Sequence, residues 1–414
     1  MPDRTNRVVV ALGTRPEAIK LAPVIRELRR SSRFETVVCA TGQHREMLDQ
    51  VLDVFAIRPD HDLNLMQHDQ ALPDLMANVL RGMAALLASI APDLLIVQGD
   101  TTTTLAAALA GFYARIPVAH VEAGLRSDDI TAPWPEEMNR RAVTVLSSAH
   151  LAPTDRARSC LLQEGVSAHD ICTTGNTVID ALLIAARELD ANASLRRALD
   201  ARFSALDAGR RLILVTSRRR ESWGPGLDHI CGAIARIADS EDVDVVYALH
   251  RNPNARASAL RILAARPRVH VLDPLSYLEF VYLLRRCHFV VTDSGGIQEE
   301  APALAKPVLV VRDTTERPEG IDAGVARLVG TGEADIVQAI TELLGSETSY
   351  RSMARSAHPY GDGRGAERAA AFLTAWLDRT GTDRKVSHYT ELTRVNPCTV
   401  SSRRRRPRTA IQNV

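Results

Sequence analysis

The sequence predicts an α/β protein built from two Rossmann-like, doubly wound domains that face each other across a cleft. Three observations lead there. Short β-branched runs alternate with helix-patterned stretches along most of the 414 residues, which is how stacked βα units and parallel sheets read. The alternation lapses once, at residues 190–211, between two series of similar size, and this length suits two domains. Finally, most strand runs stop at turns rich in charge, polarity or glycine, and in open parallel sheets ligands sit outside the carboxyl ends of the strands.

The first domain, residues 1–189, opens with a strand at 8–12 that breaks at Gly13-Thr14-Arg15-Pro16-Glu17. Apolar residues at helical spacing follow as far as Leu28. This turn lacks G-x-G-x-x-G, so it is not a dinucleotide fingerprint. A strand at 36–40 ends in Thr41-Gly42-Gln43-His44-Arg45 before a helix at 46–55. A loop through 62–65 and 67–70 then leads to a long helix at 72–90. The strand at 94–97 ends in Gln98-Gly99-Asp100, and Thr101 to Thr104 open an alanine-rich helix at 105–113. The run 117–121 discharges into Glu122-Ala123-Gly124-Leu125-Arg126. Strands at 149–152 and 171–174 follow, the latter ending in Gly175-Asn176-Thr177, a cap for a helix at 178–189.

Residues 190–211, with weak periodicity and Phe203 as their one aromatic, read as the crossing. The second domain, 212–379, shows strands at 212–216, 243–249, 269–272, 289–292, 308–311 and 327–329. A last helix at 366–377 is expected to pack back on the first domain. From about residue 380 the pattern fails, and Arg403-Arg404-Arg405-Arg406-Pro407-Arg408 falls in a polar tail whose default is disorder.

Composition narrows the class. Hydrophobic content of 45% with 24% charged residues is ordinary for a globular protein. A net charge of +1 argues against coating nucleic acid or an anionic membrane. Six cysteines without a C-x-x-C pair form neither a zinc pattern nor a disulfide framework. No apolar run approaches the roughly 20 residues that span a bilayer, and no secretory leader is visible. The expectation is a cytoplasmic protein with no metal, no cofactor, no membrane and no nucleic acid.

Three carboxylates stand out because no apolar stripe explains them: Asp100, Glu122 and Glu136. Asp100 has two readings, a site acid or a cap for the helix that the threonines begin. Glu122, set between Val121 and Ala123 at a strand end, is costly to bury unless it is bonded or used. Glu136 and Glu137 also read as acidic residues of a solvated first helical turn. In the second domain, Thr292-Asp293-Ser294-Gly295-Gly296 ends a strand and opens a helix, which is either a diphosphate cradle or an ordinary glycine turn. The charge-laden strand end from Arg312 to Arg317 favours the cradle, as does Ser217-Arg218-Arg219-Arg220, whose guanidinium forks suit phosphate oxygens. His250 ends another strand.

The segments GTRPEAIKLAPVI, TGQHREMLDQV, GDTTTT, HVEAGLR, PEEMNR, TGNTVIDAL, NPN, TDSGGIQEEAP and RDTTERPEG resemble the non-hydrolysing UDP-N-acetylglucosamine 2-epimerases, over about residues 8–377. The resemblance implies a glycosyltransferase-B-like pair of domains and a homodimer that takes UDP-N-acetylglucosamine. It implies reversible inversion at C2 through elimination and re-addition of UDP, with 2-acetamidoglucal held between the steps. It places Asp100, Glu122 and Glu136 in catalysis, and Arg15, Lys20, Arg140, Ser294, Glu300 and Arg317 on the substrate. His250, Phe280, Gly295 and Gly296 join as substrate contacts, and Gln43, Gln70 and Arg219 as a possible allosteric set. The family usually reads T-G-H-R-R-E where this chain has Thr216-Ser217-Arg218-Arg219-Arg220-Glu221, so Arg218 takes the place of a catalytic histidine. Arginine stays protonated. Epimerase activity is expected to survive, since a lost general acid costs roughly 10²–10⁴-fold while the rest of the site still contributes. The rival readings are a hydrolysing 2-epimerase that releases N-acetylmannosamine and UDP, a glycosyltransferase, and a weakened homologue that only binds UDP-sugars.

Overall fold

β-branched runs with no polar face can be buried only between layers of helix, and that is how the computed structural model arranges them. It describes residues 5–42, 45–65, 70–217, 225–249, 253–355 and 357–380. The first domain carries β1 (Asn6–Leu12), β2 (Phe34–Ala40), β3 (His61–Asp62), β4 (Leu94–Gln98), β5 (Val118–Val121), β6 (Ala149–Ala152) and β7 (Ile171–Thr173). They form one parallel sheet in the order β3-β2-β1-β4-β5-β6-β7. The second carries β8 (Arg211–Thr216), β9 (Val243–Ala248), β10 (Val269–Leu272), β11 (Phe289–Thr292), β12 (Val308–Val310) and β13 (Ala326–Leu328). Its order is β10-β9-β8-β11-β12-β13, again parallel. The strand order reverses direction between β1 and β4 and again between β8 and β11. Those are the switch points where such folds open a crevice.

The first-domain helices are α1 (Arg15–Arg30), α2 (Arg45–Val54), α3 (Leu72–Ile90), α4 (Thr102–Tyr113), α5 (Glu136–Leu146), α6 (Asp155–Gln163) and α7 (Thr177–Ala191). Then come α8 (Ala193–Arg202), α9 (Pro225–Ser240), α10 (Pro253–Leu263), α11 (Tyr277–Arg286), α12 (Gly295–Ala303), α13 (Pro318–Asp322), α14 (Glu333–Gly345), α15 (Glu347–Met353) and α16 (Gly365–Thr380). Side chains of a strand alternate between faces. Val8, Val10 and Leu12 therefore share a core with Leu21 and Ile25 of α1. Val9 and Ala11 share another with Met83 of α3 and Ala107 of α4. The former core runs on into the second domain, where Leu212 and Leu214 of β8 belong to it while Ile213 and Val215 face the other way.

Two stretches differ from the sequence reading. The crossing at 190–211 contains a helix, α8, because Leu199 and Phe203 are buried and Phe203 stacks on Tyr282 at 5.6 Å. The loop before α3 contains β3, which pairs through only Cys39–His61 and Ala40–Asp62. That is too short to leave a periodic signal. At the other end of the chain α16 lies against α1 and α7. The Asp180 carboxylate of α7 accepts the first free N–H groups of α16, from Gly365 at 3.1 Å and Ala366 at 2.9 Å.

Candidate active site

The turn after β5 is where the polar groups converge. Glu122 adopts a left-handed backbone with φ of 65°, a conformation that costs a non-glycine residue energy and so needs surroundings that enforce it. Those surroundings are close at hand. Ala123 N donates to Leu151 O at 3.0 Å. Gly124, with φ of 89°, passes so near the next helix that a Cβ there would sit 2.3 Å from Ala157 O. Glu122 as a whole is 8% exposed. It accepts from Lys20 Nζ at 2.5 and 2.6 Å, from Asn176 Nδ2 at 2.8 Å and from Gln98 Nε2. Arg317 Nη2 of the second domain lies 3.6 Å away. Burial pushes its proton affinity up, but the Lys20 and Arg317 charges and the hydrogen bonds outweigh that and hold it below the usual carboxylate range. Glu122 is therefore an ionised carboxylate held by charges from both domains.

The turn after β4 lies beside it. Gly99, with φ of 73°, is close enough that a Cβ there would touch Glu122 Oε2 at 3.6 Å. Asp100 follows, and its Oδ2 accepts from Arg140 Nε at 3.0 Å and Nη2 at 2.5 Å. The cap of α4 is Thr101, whose hydroxyl accepts from Thr104 N at 3.1 Å. Capping thus falls to the threonine and leaves the Asp100 side chain to Arg140. α5 supplies Arg140 and, one turn earlier, the half-buried Glu136, on one face by their i, i+4 spacing. Glu137 is fully buried and structural, accepting from Arg140 at 3.0 Å, Arg141 at 2.8 Å and Ser127 N at 3.2 Å.

Two buried residues brace these turns. Glu17 accepts from Gly13 N, from Thr14 N at 3.0 Å and from the hydroxyls of Thr101 and Thr104, so one carboxylate joins the β1 turn to the β4 turn. Burial raises its proton affinity. His120 Nε2 lies 2.8 Å from Gly99 O. A carbonyl only accepts, so that nitrogen carries the proton. Burial pushes the imidazole down to about 3, leaving it neutral.

The second domain answers from the β11 and β12 ends. Ser294 is the N-cap residue of α12, and a Cβ on Gly295 would crowd Glu316 Oε1 at 3.1 Å and Arg317 Cζ at 3.3 Å. A side chain there would press on that guanidinium, so the turn and Arg317 lie in contact. Arg317, 7% exposed, donates Nε to Glu299 Oε1 at 2.7 Å and pairs with Glu316 at 3.2 Å. Glu299 also accepts from Asn176. Burial, only partly offset by Arg317 and Lys20, lifts Glu299 to about 7. Glu300 accepts from the Tyr277 hydroxyl at 3.2 Å. Arg15 reaches across the cleft to donate to Leu275 O at 2.9 Å.

Lys20, Glu122 and Arg317 are thus brought together, with the Gly99-Asp100 turn beside them and the Ser294 turn against Arg317. Phe280 is 4% exposed and belongs to the hydrophobic core. Gln70 is half-buried just ahead of α3. Gln43, Arg218, Arg219 and His250 lie outside the described residues. Sequence reasoning missed Glu17, Gln98, His120 and Glu299, and it took Asn176 for a cap alone. Gln298, Glu299 and Glu300, open to a reading as solvated acids and amide of a first turn, are all buried. The one available signal was their position after a strand-ending glycine pair. Among the described residues, no group of three His, Cys, Asp or Glu side chains could hold a metal ion, and no helix is long and apolar enough to cross a membrane.

Residues 26–374 match the family model described as UDP-N-acetylglucosamine 2-epimerase. The UDP-N-acetylglucosamine 2-epimerase of Escherichia coli strain K12 is 50% identical over 363 residues, which is 87% of this chain and 96% of that one. The structure of UDP-GlcNAc 2-epimerase from Neisseria meningitidis bound to UDP-GlcNAc superposes with a TM-score of 0.87 at 44% identity, covering 89% of this chain and all of that one. That of Methanocaldococcus jannaschii UDP-GlcNAc 2-epimerase in complex with UDP-GlcNAc and UDP gives a TM-score of 0.79 at 31% identity, covering 89% and 99%. On sequence, fold and the charged cleft between its domains, the chain belongs to the UDP-N-acetylglucosamine 2-epimerase family, a family of isomerases.

Proposed function

We propose that this protein interconverts UDP-N-acetylglucosamine and UDP-N-acetylmannosamine without net hydrolysis. The observation that carries the reading is Glu122, an ionised carboxylate held at a strand end between Lys20 of one domain and Arg317 of the other. Asp100 on its arginine stands at the neighbouring strand end. The C2 proton of the sugar is removed on one face as the bond from C1 to the UDP oxygen breaks, giving 2-acetamidoglucal and UDP. UDP then adds back at C1 while a proton reaches C2 from the opposite face. Two faces need two acid/base groups, because the group that takes a proton on one side cannot return it on the other. Glu122, Asp100 and Glu136 supply these groups. Arg317, the Ser294-Gly295-Gly296 turn and Arg15 stabilise the diphosphate as charge develops on it. Arg218 remains a cation throughout, so it steadies the leaving UDP and takes no proton.

The test is incubation of the purified protein with UDP-N-acetylglucosamine in deuterated water. UDP-N-acetylmannosamine carrying deuterium at C2 is the expected product. Free N-acetylmannosamine with stoichiometric UDP would replace this reading by the hydrolysing one, and binding without exchange would replace it by a regulator.

A further inference from the structure

We propose that Asn176 is a positioning residue for the reaction: its side-chain amide joins Glu122 of the first domain to Glu299 of the second, so that the surroundings of the base are completed only when the two domains meet. This rests on the epimerase reading for its catalytic half and on geometry alone for its structural half. Asn176 is 2% exposed. Its Nδ2 donates to Glu122 Oε1 at 2.8 Å and to Glu299 Oε2, which uses both N–H groups of the amide. Its Oδ1 accepts from Val178 N at 3.1 Å. A flipped amide would set its oxygen against two carboxylates and its N–H against another N–H, so the orientation is fixed by its partners.

The chemistry suits the place. Two carboxylates face each other across the domain boundary, each already bound to a cation, Glu122 to Lys20 and Glu299 to Arg317. A neutral double donor joins them without adding charge, and the chain Lys20–Glu122–Asn176–Glu299–Arg317 alternates donor and acceptor throughout. The other charged neighbours are Glu316, paired to Arg317 at 3.2 Å, and Arg312, paired to Glu316 at 2.6 Å. His120 beneath the turn is neutral, and the Tyr360 hydroxyl donates to Arg317 O at 3.0 Å. If the second domain swings away, Glu299 and Arg317 leave together, and Asn176 keeps Glu122 and its bond from Val178 N but has one N–H without its carboxylate. Glu122 then keeps Lys20, Gln98 and Asn176 but loses its second cation, and its amide donor loses the anchor on Glu299.

Asn176→Ser and Asn176→Asp separate this role from helix capping, because both residues cap well. Serine is too short to reach either carboxylate, and aspartate adds a third anion between them. The expected order of kcat is wild type, then Ser lower by about tenfold as a charged hydrogen bond is lost, then Asp lower still, with KM little changed. The acid limb of the pH profile should move up in both, by about half to one unit, as Glu122 loses a donor to its ionised form. A second arm needs no turnover: the melting-temperature gap between wild type and Asn176→Asp should widen as pH rises from 4 to 7 and the added carboxylate ionises. Should both variants keep the wild-type pH profile and show a pH-independent melting gap, Asn176 is a cap and the proposal is overturned. Should wild type lack turnover, the epimerase reading fails while the melting arm still decides the bridge.

Discussion

The ends of β4 and β5 are neighbours in one sheet and both deliver a carboxylate to the cleft, yet the two are held in opposite ways. Among the described residues Asp100 pairs with one cation, Arg140 of its own domain, and its side chain stays 27% exposed. Glu122 is 5% exposed at the side chain, has an ammonium from its own domain and a guanidinium from the other, and shares Asn176 with a second buried carboxylate. The partners of Asp100 are thus local, whereas those of Glu122 depend in part on how the domains face each other. Two carboxylates at adjoining strand ends can therefore differ in surroundings without differing in chemical type.

The largest effect should come from Arg317→Met, which removes the cation that the second domain brings to Glu122. It leaves Glu299, Glu316 and Glu122 short of a buried cation, and breaking such a pair costs about 3–5 kcal/mol. Urea unfolding at neutral pH reads this directly. A loss under about 1 kcal/mol would mean the network contributes little net stability and would erase the contrast with Asp100.

Next comes the pH dependence carried by Glu299. Its proton is held up to about 7 in the folded chain against an ordinary value of 4.5. The folded state therefore binds more protons between those values, and stability falls as pH rises through them. Glu299→Gln removes the titrating group, so the slope of stability against pH over this window should flatten relative to wild type. Parallel curves for the two proteins would place the retained proton elsewhere.

The smallest effect belongs to Thr101→Ala at the β4 end, where loss of the α4 cap should cost about 1–2 kcal/mol. Denaturant midpoints measure it. Thr101 also donates to the buried Glu17 carboxylate and helps hold its proton affinity down, so the gap from wild type should widen as pH rises and Glu17 ionises, and a pH-independent gap would show that this hydrogen bond contributes nothing.

Much of this was legible in the chain. The strands at 149–152, 269–272 and 289–292 and the helix at 72–90 fall where hydrophobic periodicity places them. Asp100 and Glu122 follow the adjacent strands β4 and β5 on the same side of the sheet, because parallel strands put their carboxyl ends on one side. Glu299 was not legible. On sequence it is one of three polar residues in a first helical turn, and only the approach of Arg317 and Asn176 shows that it is buried. Asn176 was half legible, since its Oδ1 contact is with a residue two positions on while its amide reaches 54 and 123 positions away.

The sequence by itself determined the alternation of strand and helix, the lapse between two domains and the residue types waiting at each turn, because these follow from period, propensity and local hydrogen bonding. The tertiary structure alone decided which of those side chains lose water and which charges become partners. Burial and ion pairing depend on distances between segments far apart in the chain, and no local pattern encodes them.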